Sequence, residues 1–349
     1  MKTLSASEAL WPALKRMYRF LFRPFDWEGF LKLAGVAVIT EGIWVSFRFS
    51  LSPALEFQVP TLDKETLFAP EYITFTILGA FVAVFALFFS YYLVILLRFV
   101  FIHCLVYETR QMQPAWDRYQ APAWRFFKAS LLVWVVLLGM AVLGVVAIFI
   151  AGLTLFNLRT PEGKLDLGVF FFLCVPCLAI VLLLLVAVVT AHVVMHDFIL
   201  PSMALENLSF RKAWRVARQR INTNRETFFS YFILRLGLPL LAGFFLAGIA
   251  WAVNWAVFGV LGISAQGFDA MLDDATGVGA YFRVGFEVLF RLMGLGMGLF
   301  MAFTLGGPLA TWVRSYSLLF WGGHYRALGD ALNPPPALPA AVQGLPKAG

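Results

Sequence analysis

Long apolar segments that alternate with short polar connections dominate the pattern of this sequence. Residues 131–156 and 167–189 contain no charged side chain. Apolar stretches of about 18 residues or more are typical of helices that cross a lipid bilayer. We therefore predict an all-α fold, a polytopic transmembrane helical bundle. Its six predicted spans lie near residues 30–50, 72–107, 125–156, 167–200, 227–263 and 281–321.

The composition strengthens this prediction and limits the class of partner. Of the 349 residues, 61% are hydrophobic and 13% are charged, whereas charged residues make up about 25% of soluble domains. The net charge is +7, but the cations lie mainly in the connections between the spans. This distribution is typical of cytoplasmic connections that meet anionic lipid headgroups, and it indicates no nucleic-acid partner.

The Lys and Arg residues of the connections also predict the orientation in the membrane. The connections form two alternating groups, which hold 17 and 3 Lys and Arg residues. The basic group consists of residues 1–28, 108–128, 201–226 and 322–349. The other group consists of residues 51–71, 157–166 and 264–280. Because cytoplasmic connections carry the excess of Lys and Arg, we predict a bacterial inner-membrane protein with both termini in the cytoplasm and the second group in the periplasm.

Three basic segments that contain tryptophan precede the first, third and fifth predicted spans. Their central alanines, Ala13, Ala115 and Ala213, are 102 and 98 residues apart. This period predicts three repeated helical hairpins, each preceded by a cytoplasmic interfacial amphipathic helix. The alternative is that Trp and Arg recur here only because both are favoured at the level of the lipid headgroups.

This organisation divides the chain into three parts. Residues 1–28 are a basic amphipathic cytoplasmic segment, and residues 29–325 are the six-helix transmembrane domain. Residues 326–349 contain a run of prolines followed by many alanines, which predicts a disordered cytoplasmic tail. Within the sixth span, Gly307 and Pro308 predict a break, because proline removes a backbone hydrogen bond and glycine tolerates a bend.

Ionisable side chains inside the predicted spans are candidates for function, because burying one in lipid costs about 2.5 kcal/mol or more. The candidates are Glu41, Arg48, Arg98, Arg235, Glu287 and Arg291. Glu287 and Arg291 are one helical turn apart and are expected to neutralise each other. Glu41 has no such neighbour, so we expect an arginine of another helix to be its partner. Either these residues form structural ion pairs, or they line a polar pathway for an ion or substrate.

Histidine and cysteine form two weaker patterns. His192 and His196 are four residues apart near the end of the fourth span, so both imidazoles lie on one helix face, where a metal or haem could bind. His103 is a candidate for a third ligand, although no spacing rule brings it close. Cys174 and Cys177 form a C-x-x-C pair, which membrane thiol oxidoreductases use. The alternatives are interfacial histidines bonded to backbone or carboxylate groups and cysteines that are small core residues; we predict no metal and no cofactor.

The segment 196–220 carries a resemblance to a known group of proteins. An exit from the fourth span with Asp197, Pro201 and Glu206 is followed by a helix of the pattern Ser-x-x-x-Ala-Trp, which begins at Ser209. This arrangement resembles the broad group of bacterial membrane proteins that includes the membrane domain found beside glycerophosphodiester phosphodiesterases and the YciC-like proteins. The resemblance implies a six-span membrane fold, and it implies no catalytic residue, because the phosphodiesterase domain itself is absent here.

Three functional hypotheses follow from these patterns. The sequence contains no Walker loop, nucleophile elbow or HExxH motif, which favours a non-enzymatic inner-membrane scaffold, accessory or assembly subunit in an envelope or lipid-related process. The second hypothesis is a transporter of an ion or small molecule with a polar pathway near Glu41 and Arg98. The third is an intramembrane redox or cofactor-binding subunit. Expected partners are anionic membrane lipids at the basic helices and either another membrane protein or a second copy of the chain.

Overall fold

The structure is a computed structural model that describes residues 5–41, 70–157, 167–272 and 278–333. Within these ranges every regular element is helical, in agreement with the all-α prediction. The α-helices are α1 (Leu10–Phe22), α2 (Trp27–Glu41), α3 (Pro70–Tyr107), α4 (Gln113–Asn157), α5 (Leu167–Val193), α6 (Leu200–Glu206), α7 (Phe210–Thr223), α8 (Arg225–Leu272), α9 (Val278–Met301), α10 (Gly307–His324) and α11 (Arg326–Leu332). The π-helical segments Val194–Ile199 and Ala302–Gly306 join α5 to α6 and α9 to α10.

Five helical stretches in the described ranges are long and apolar enough to cross a membrane. They are Ile73–Tyr107, Gln113–Leu153, Cys174–Glu206, Arg225–Val253 and Leu295–His324. These stretches overlap the second to sixth predicted spans. The first predicted span begins in α2, and its second half lies outside the described residues. Helix α8 extends beyond the predicted end at residue 263, to Leu272.

The chain folds into two compact units. The first unit contains residues 1–118 and 224–349, and the second contains residues 119–223. The apolar face of α1, which includes Ala13 and Phe20, is buried within the first unit. The predicted division into residues 1–28, 29–325 and 326–349 stays a prediction.

Helix α10 is the centre of the first unit. It packs against α1, α2 and α11, and Trp321 is its largest fully buried side chain. Phe320 of α10 stacks on Tyr231 of α8, with ring centroids 4.2 Å apart. Helix α11 corrects the prediction of a disordered tail from residue 326, because burial of Leu328 and Leu332 holds this segment as a helix. Residues 334–349 of the predicted tail lie outside the described residues.

The predicted break in the sixth span is the π-helical segment Ala302–Gly306, followed by Pro308 in the first turn of α10. The helix is continuous through this segment, since the N–H of Gly307 donates a hydrogen bond to the carbonyl oxygen of Phe303. Gly307 lies so close to α2 that an added Cβ atom would be 2.4 Å from the Cβ of Ala34. The crossing of α2 and α10 therefore requires a residue without a side chain at position 307.

The second unit is built around the π-helical segment Val194–Ile199, whose side chains are buried. Helix α7 packs against this segment and buries Ala213 and Ala217. Helix α6 ends at Glu206 and is followed by Asn207, whose φ of 52° lies in the left-handed region that asparagine tolerates. Arg125 of α4 donates a hydrogen bond to the side-chain oxygen of Asn207. This bond ties α4 to the turn between α6 and α7.

The three basic segments that contain tryptophan have different structures. The first and third are the separate helices α1 and α7, whereas the second is continuous with α4. The repeat predicts an interfacial amphipathic helix before the third span, and this segment forms the first turns of α4. Helix α1 ends just before Pro24, because a proline disfavours helical backbone at the preceding residue. Pro122 lies inside α4, where one missing backbone hydrogen bond does not end the helix.

Candidate functional site

Glu41, at the described end of α2, binds two arginines of other helices in the first unit. The Nη2 atom of Arg235 in α8 donates a hydrogen bond to Oε2 of Glu41 at 3.0 Å. The Nε atom of Arg314 in α10 lies 3.4 Å from Oε1. The side chains of Glu41, Arg235 and Arg314 are 7%, 13% and 1% exposed. We call these three residues the ionic centre.

Arg98 of α3 lies beside the ionic centre. Its Nε atom donates a hydrogen bond of 2.7 Å to the carbonyl oxygen of Thr40, the residue before Glu41. Both Arg98 and Thr40 are buried. The structure therefore places three arginines from α3, α8 and α10 around the end of α2. Charges in such a position are stabilised by their partners, and removal of one partner leaves a buried charge unpaired.

A second polar cluster joins the ends of α1 and α3. Arg16 of α1 donates hydrogen bonds to the carbonyl oxygens of Leu105 and Val106 in the last turn of α3, at 2.9 and 3.0 Å. In the opposite direction, Arg110 donates to the carbonyl oxygen of Phe20 in α1 at 3.2 Å. The last carbonyl groups of a helix have no partner within it and carry partial negative charge. Arg16 thus caps the end of α3, and Arg110, which follows α3, binds a carbonyl group in the last turn of α1.

Sequence reasoning did not select Arg16 as a site residue. It is 5% exposed, and burial lowers the pKa of its guanidinium, an effect opposed by the Glu108 carboxylate 3.5 Å away. The available signal is the position of Arg16 between Ala13 and Phe20 on the buried face of α1. A cation on the apolar face of an amphipathic helix indicates a buried partner, but the pattern does not identify that partner.

The histidine candidates lie in different units. In the second unit, the ring centroids of His192 and His196 are 4.4 Å apart, and His196 is buried against Phe126. In the first unit, His103 packs against Tyr107, with centroids 4.6 Å apart. Within residues 5–41, 70–157, 167–272 and 278–333, no three His, Cys, Asp or Glu side chains form a group that could hold a metal ion.

The remaining candidates form no cluster among the residues that the structure describes. Cys174 and Cys177 are free, half-buried thiols in α5, which continues as a helix through the proline between them. Arg48 lies outside the described residues. Glu287 and Arg291 belong to α9, but their side chains also lie outside the described part of the structure.

Comparison with known proteins identifies a family. A model of a family of unknown function (DUF7544) matches residues 4–331. Because this match covers nearly the whole chain, the chain belongs to that family. No curated protein and no solved structure matches it. Membership in a family of unknown function agrees with the prediction of an uncharacterised protein. The relation to the phosphodiesterase membrane domain and the YciC-like proteins stays a prediction.

Proposed function

We propose that this member of the family is a non-enzymatic integral protein of the bacterial inner membrane that acts as a scaffold, accessory or assembly subunit in an envelope or lipid-related process. The observation that carries the proposal is the exposure of its membrane-length helices. In the most apolar stretch of α4 only 6% of the residues are buried, and in that of α8 none are. These helices therefore present large apolar surfaces outward, such as those around Leu143 and Phe244.

Exposure of this extent favours a scaffold, which holds a partner on its surface, over a transporter, whose spans enclose a pathway. In a transporter the spans surround a polar route, and each span buries one stripe against its neighbours. A scaffold uses part of an exposed apolar surface to hold another membrane protein or a second copy of the same chain.

The ionic centre supports the same interpretation. Its carboxylate is engaged by Arg235 and Arg314, which come from two helices that must approach α2. Ion pairs between helices fix the arrangement of a bundle, whereas a pathway for a coupled ion places carboxylates in succession along one route. Glu41 is the single carboxylate among the described residues of this cluster.

In vivo photo-crosslinking tests the scaffold role. A photoreactive amino acid is placed at Leu183 of α5 and at Phe244 of α8, which are 67% and 77% exposed. The matched control carries it at Lys15, an exposed polar position of α1. We expect discrete protein adducts at one or both apolar positions and none at the control. Adducts with lipid alone at both apolar positions would contradict the proposal.

The finer topology is part of this proposal: six spans with both termini in the cytoplasm. It is supported by the 17 to 3 distribution of Lys and Arg between the two groups of connections. Single cysteines at positions 64, 163 and 273, introduced into a chain without its native cysteines, test it by labelling with a membrane-impermeant reagent. Labelling from the periplasm is expected at all three, and cytoplasmic labelling at any two would refute six spans.

The threefold repeat of hairpins is also proposed, and local structure at two helix ends supports it. Glu108 after α3 and Asn207 after α6 both have a φ of 52°, and each precedes an Ala-Trp pair by a similar distance. An experimental structure in lipid tests the repeat by superposition of residues 30–107, 125–200 and 227–321. Hairpins that differ in hand or crossing would refute it.

A transporter is the second candidate, and one observation favours it. Arg98 binds the carbonyl oxygen next to Glu41, so four ionisable side chains from different helices meet at one end of α2. Such a concentration of charge is typical of ion pathways as well as of structural centres. Glu41→Gln separates the two roles when stability and ion flux are measured on the same variant.

A further inference from the structure

In the second unit, α7 presents three arginines to a groove. Arg211, Arg215 and Arg218 are separated by four and three residues and therefore lie on one helix face. The groove has a volume of about 460 Å³, within the range of about 300–1,000 Å³ that is usual for small-ligand sites. Its remaining walls are formed by Val133, Ala191, Met195, Phe210 and Trp214.

Among the described residues, no carboxylate neutralises the three positive charges. Burial of Ala213 and Ala217 fixes the opposite face of α7, and this leaves the side chains of the three arginines exposed. In the part of the chain that the structure describes, no Asp or Glu oxygen lies within 4.0 Å of their nitrogens. The groove therefore offers several guanidinium donors to an anion, and guanidinium groups bind phosphate in bidentate geometry.

The rest of the groove is apolar and continues onto exposed apolar surface. Val133 belongs to α4, where the neighbouring side chains of Leu132 and Val136 are 66% and 56% exposed. Trp214 is 44% exposed beside the arginines, and tryptophan is favoured where apolar and polar parts of a lipid meet. An occupant that matches both parts must carry an anionic group at one end and a hydrocarbon chain at the other.

We infer that this groove binds an anionic phospholipid, with the phosphate on Arg211, Arg215 and Arg218 and an acyl chain against Val133 and Met195. The inference rests on the membrane location in the proposed function, but it does not depend on the scaffold role. A soluble phosphate ester would satisfy the arginines and leave the apolar walls in contact with water. The combination of charge and apolar wall therefore selects a lipid.

Native mass spectrometry of the full-length protein tests this site. The protein is released from nanodiscs that contain phosphatidylglycerol and phosphatidylcholine in equal amounts, and the retained lipid is counted. We expect the wild-type protein to prefer phosphatidylglycerol and R211Q/R215Q to lose about tenfold in that preference. The matched control is K212Q/R220Q, which removes the same number of charges from α7 at positions that do not line the groove. We expect the control to retain the preference.

Two further measurements distinguish a lipid from free phosphate. An excess of inorganic phosphate is expected to leave the bound phosphatidylglycerol in place. Ala191→Trp, which fills the groove and keeps every charge, is expected to lower lipid retention. Displacement by phosphate, full retention in Ala191→Trp or an equal loss in both double variants would each overturn the inference. Circular dichroism verifies that the variants are folded, and the crosslinking result for the scaffold role is independent of all these outcomes.

Discussion

The buried arginines of the first unit and the groove arginines of the second unit differ in their partners. In the first unit, Arg235 and Arg314 contact Glu41, and Arg16 binds carbonyl oxygens at the end of α3. In the second unit, the groove arginines of α7 are exposed and have no carboxylate partner among the described residues. An arginine satisfied within its own chain contributes to stability, whereas an exposed cluster is available to a ligand. The partners of an arginine, rather than the residue type, thus decide whether it holds the fold together or is open to a ligand.

The largest effect is expected when the ionic centre is broken. Glu41→Gln leaves Arg235 and Arg314 buried without their carboxylate, and loss of one partner of a buried ion pair typically costs about 3–5 kcal/mol. We expect the free energy of unfolding in detergent micelles to fall by about this amount. The matched control is Glu28→Gln, which removes an exposed partner of Lys32 and is expected to cost about 0.3–0.5 kcal/mol.

The same variant separates the scaffold from the transporter. If the centre is structural, any activity of a partner complex should fall in proportion to the amount of folded protein. Ion flux in reconstituted vesicles is the second measurement on the variant. An unchanged melting temperature together with an abolished flux would show that Glu41 lines a pathway and would reject the structural role.

Arg16→Gln is expected to have the next largest effect. The shorter, uncharged side chain cannot bind the carbonyl oxygens of Leu105 and Val106, and hydrogen bonds from a charged group contribute about 1.5–3 kcal/mol. Equilibrium unfolding should show a loss in this range. Its neighbour Lys15 is exposed, so Lys15→Gln should change stability by less than about 0.5 kcal/mol. Equal effects of the two substitutions would refute the capping role of Arg16.

Gly307→Ala tests the crossing that brings Arg314 to Glu41. The added methyl group would meet Ala34 at 2.4 Å, and such overpacking costs about 1–3 kcal/mol. Gly237→Ala is the control, because its added Cβ meets no atom within 4 Å and alanine favours a helix by about 0.5–1 kcal/mol over glycine. Thermal unfolding should therefore shift in opposite directions, and a stabilised Gly307→Ala variant would contradict the close crossing.

Much of the helical architecture could be predicted from local pattern. The apolar run predicted over residues 72–107 corresponds closely to α3 (Pro70–Tyr107), because the length and composition of a membrane helix are local properties. The pattern also indicated that Glu41 requires an arginine from another helix. It did not indicate Arg314, which lies near the end of the predicted sixth span, because that contact depends on how α2 crosses α10.

The features that could not be predicted depend on contacts between distant residues. The amphipathic pattern of α1 predicts a surface helix, but only packing against α10 makes it part of a core. The basic segment of α7 predicts contact with anionic lipid headgroups. It cannot show that Arg211, Arg215 and Arg218 face Val133 and Met195, since those two residues come from other elements of the second unit.

The smallest effect on stability is expected from substitution of the groove arginines. R211Q/R215Q removes two exposed cations, and surface substitutions of this kind usually change stability by less than about 0.5 kcal/mol each. We expect the unfolding free energy in lipid-free detergent to stay near that of the wild type. Added phosphatidylglycerol should stabilise the wild type and K212Q/R220Q more than R211Q/R215Q, because a ligand stabilises only the folded state that binds it. A large loss of stability without lipid would place these arginines in the same structural class as Arg16.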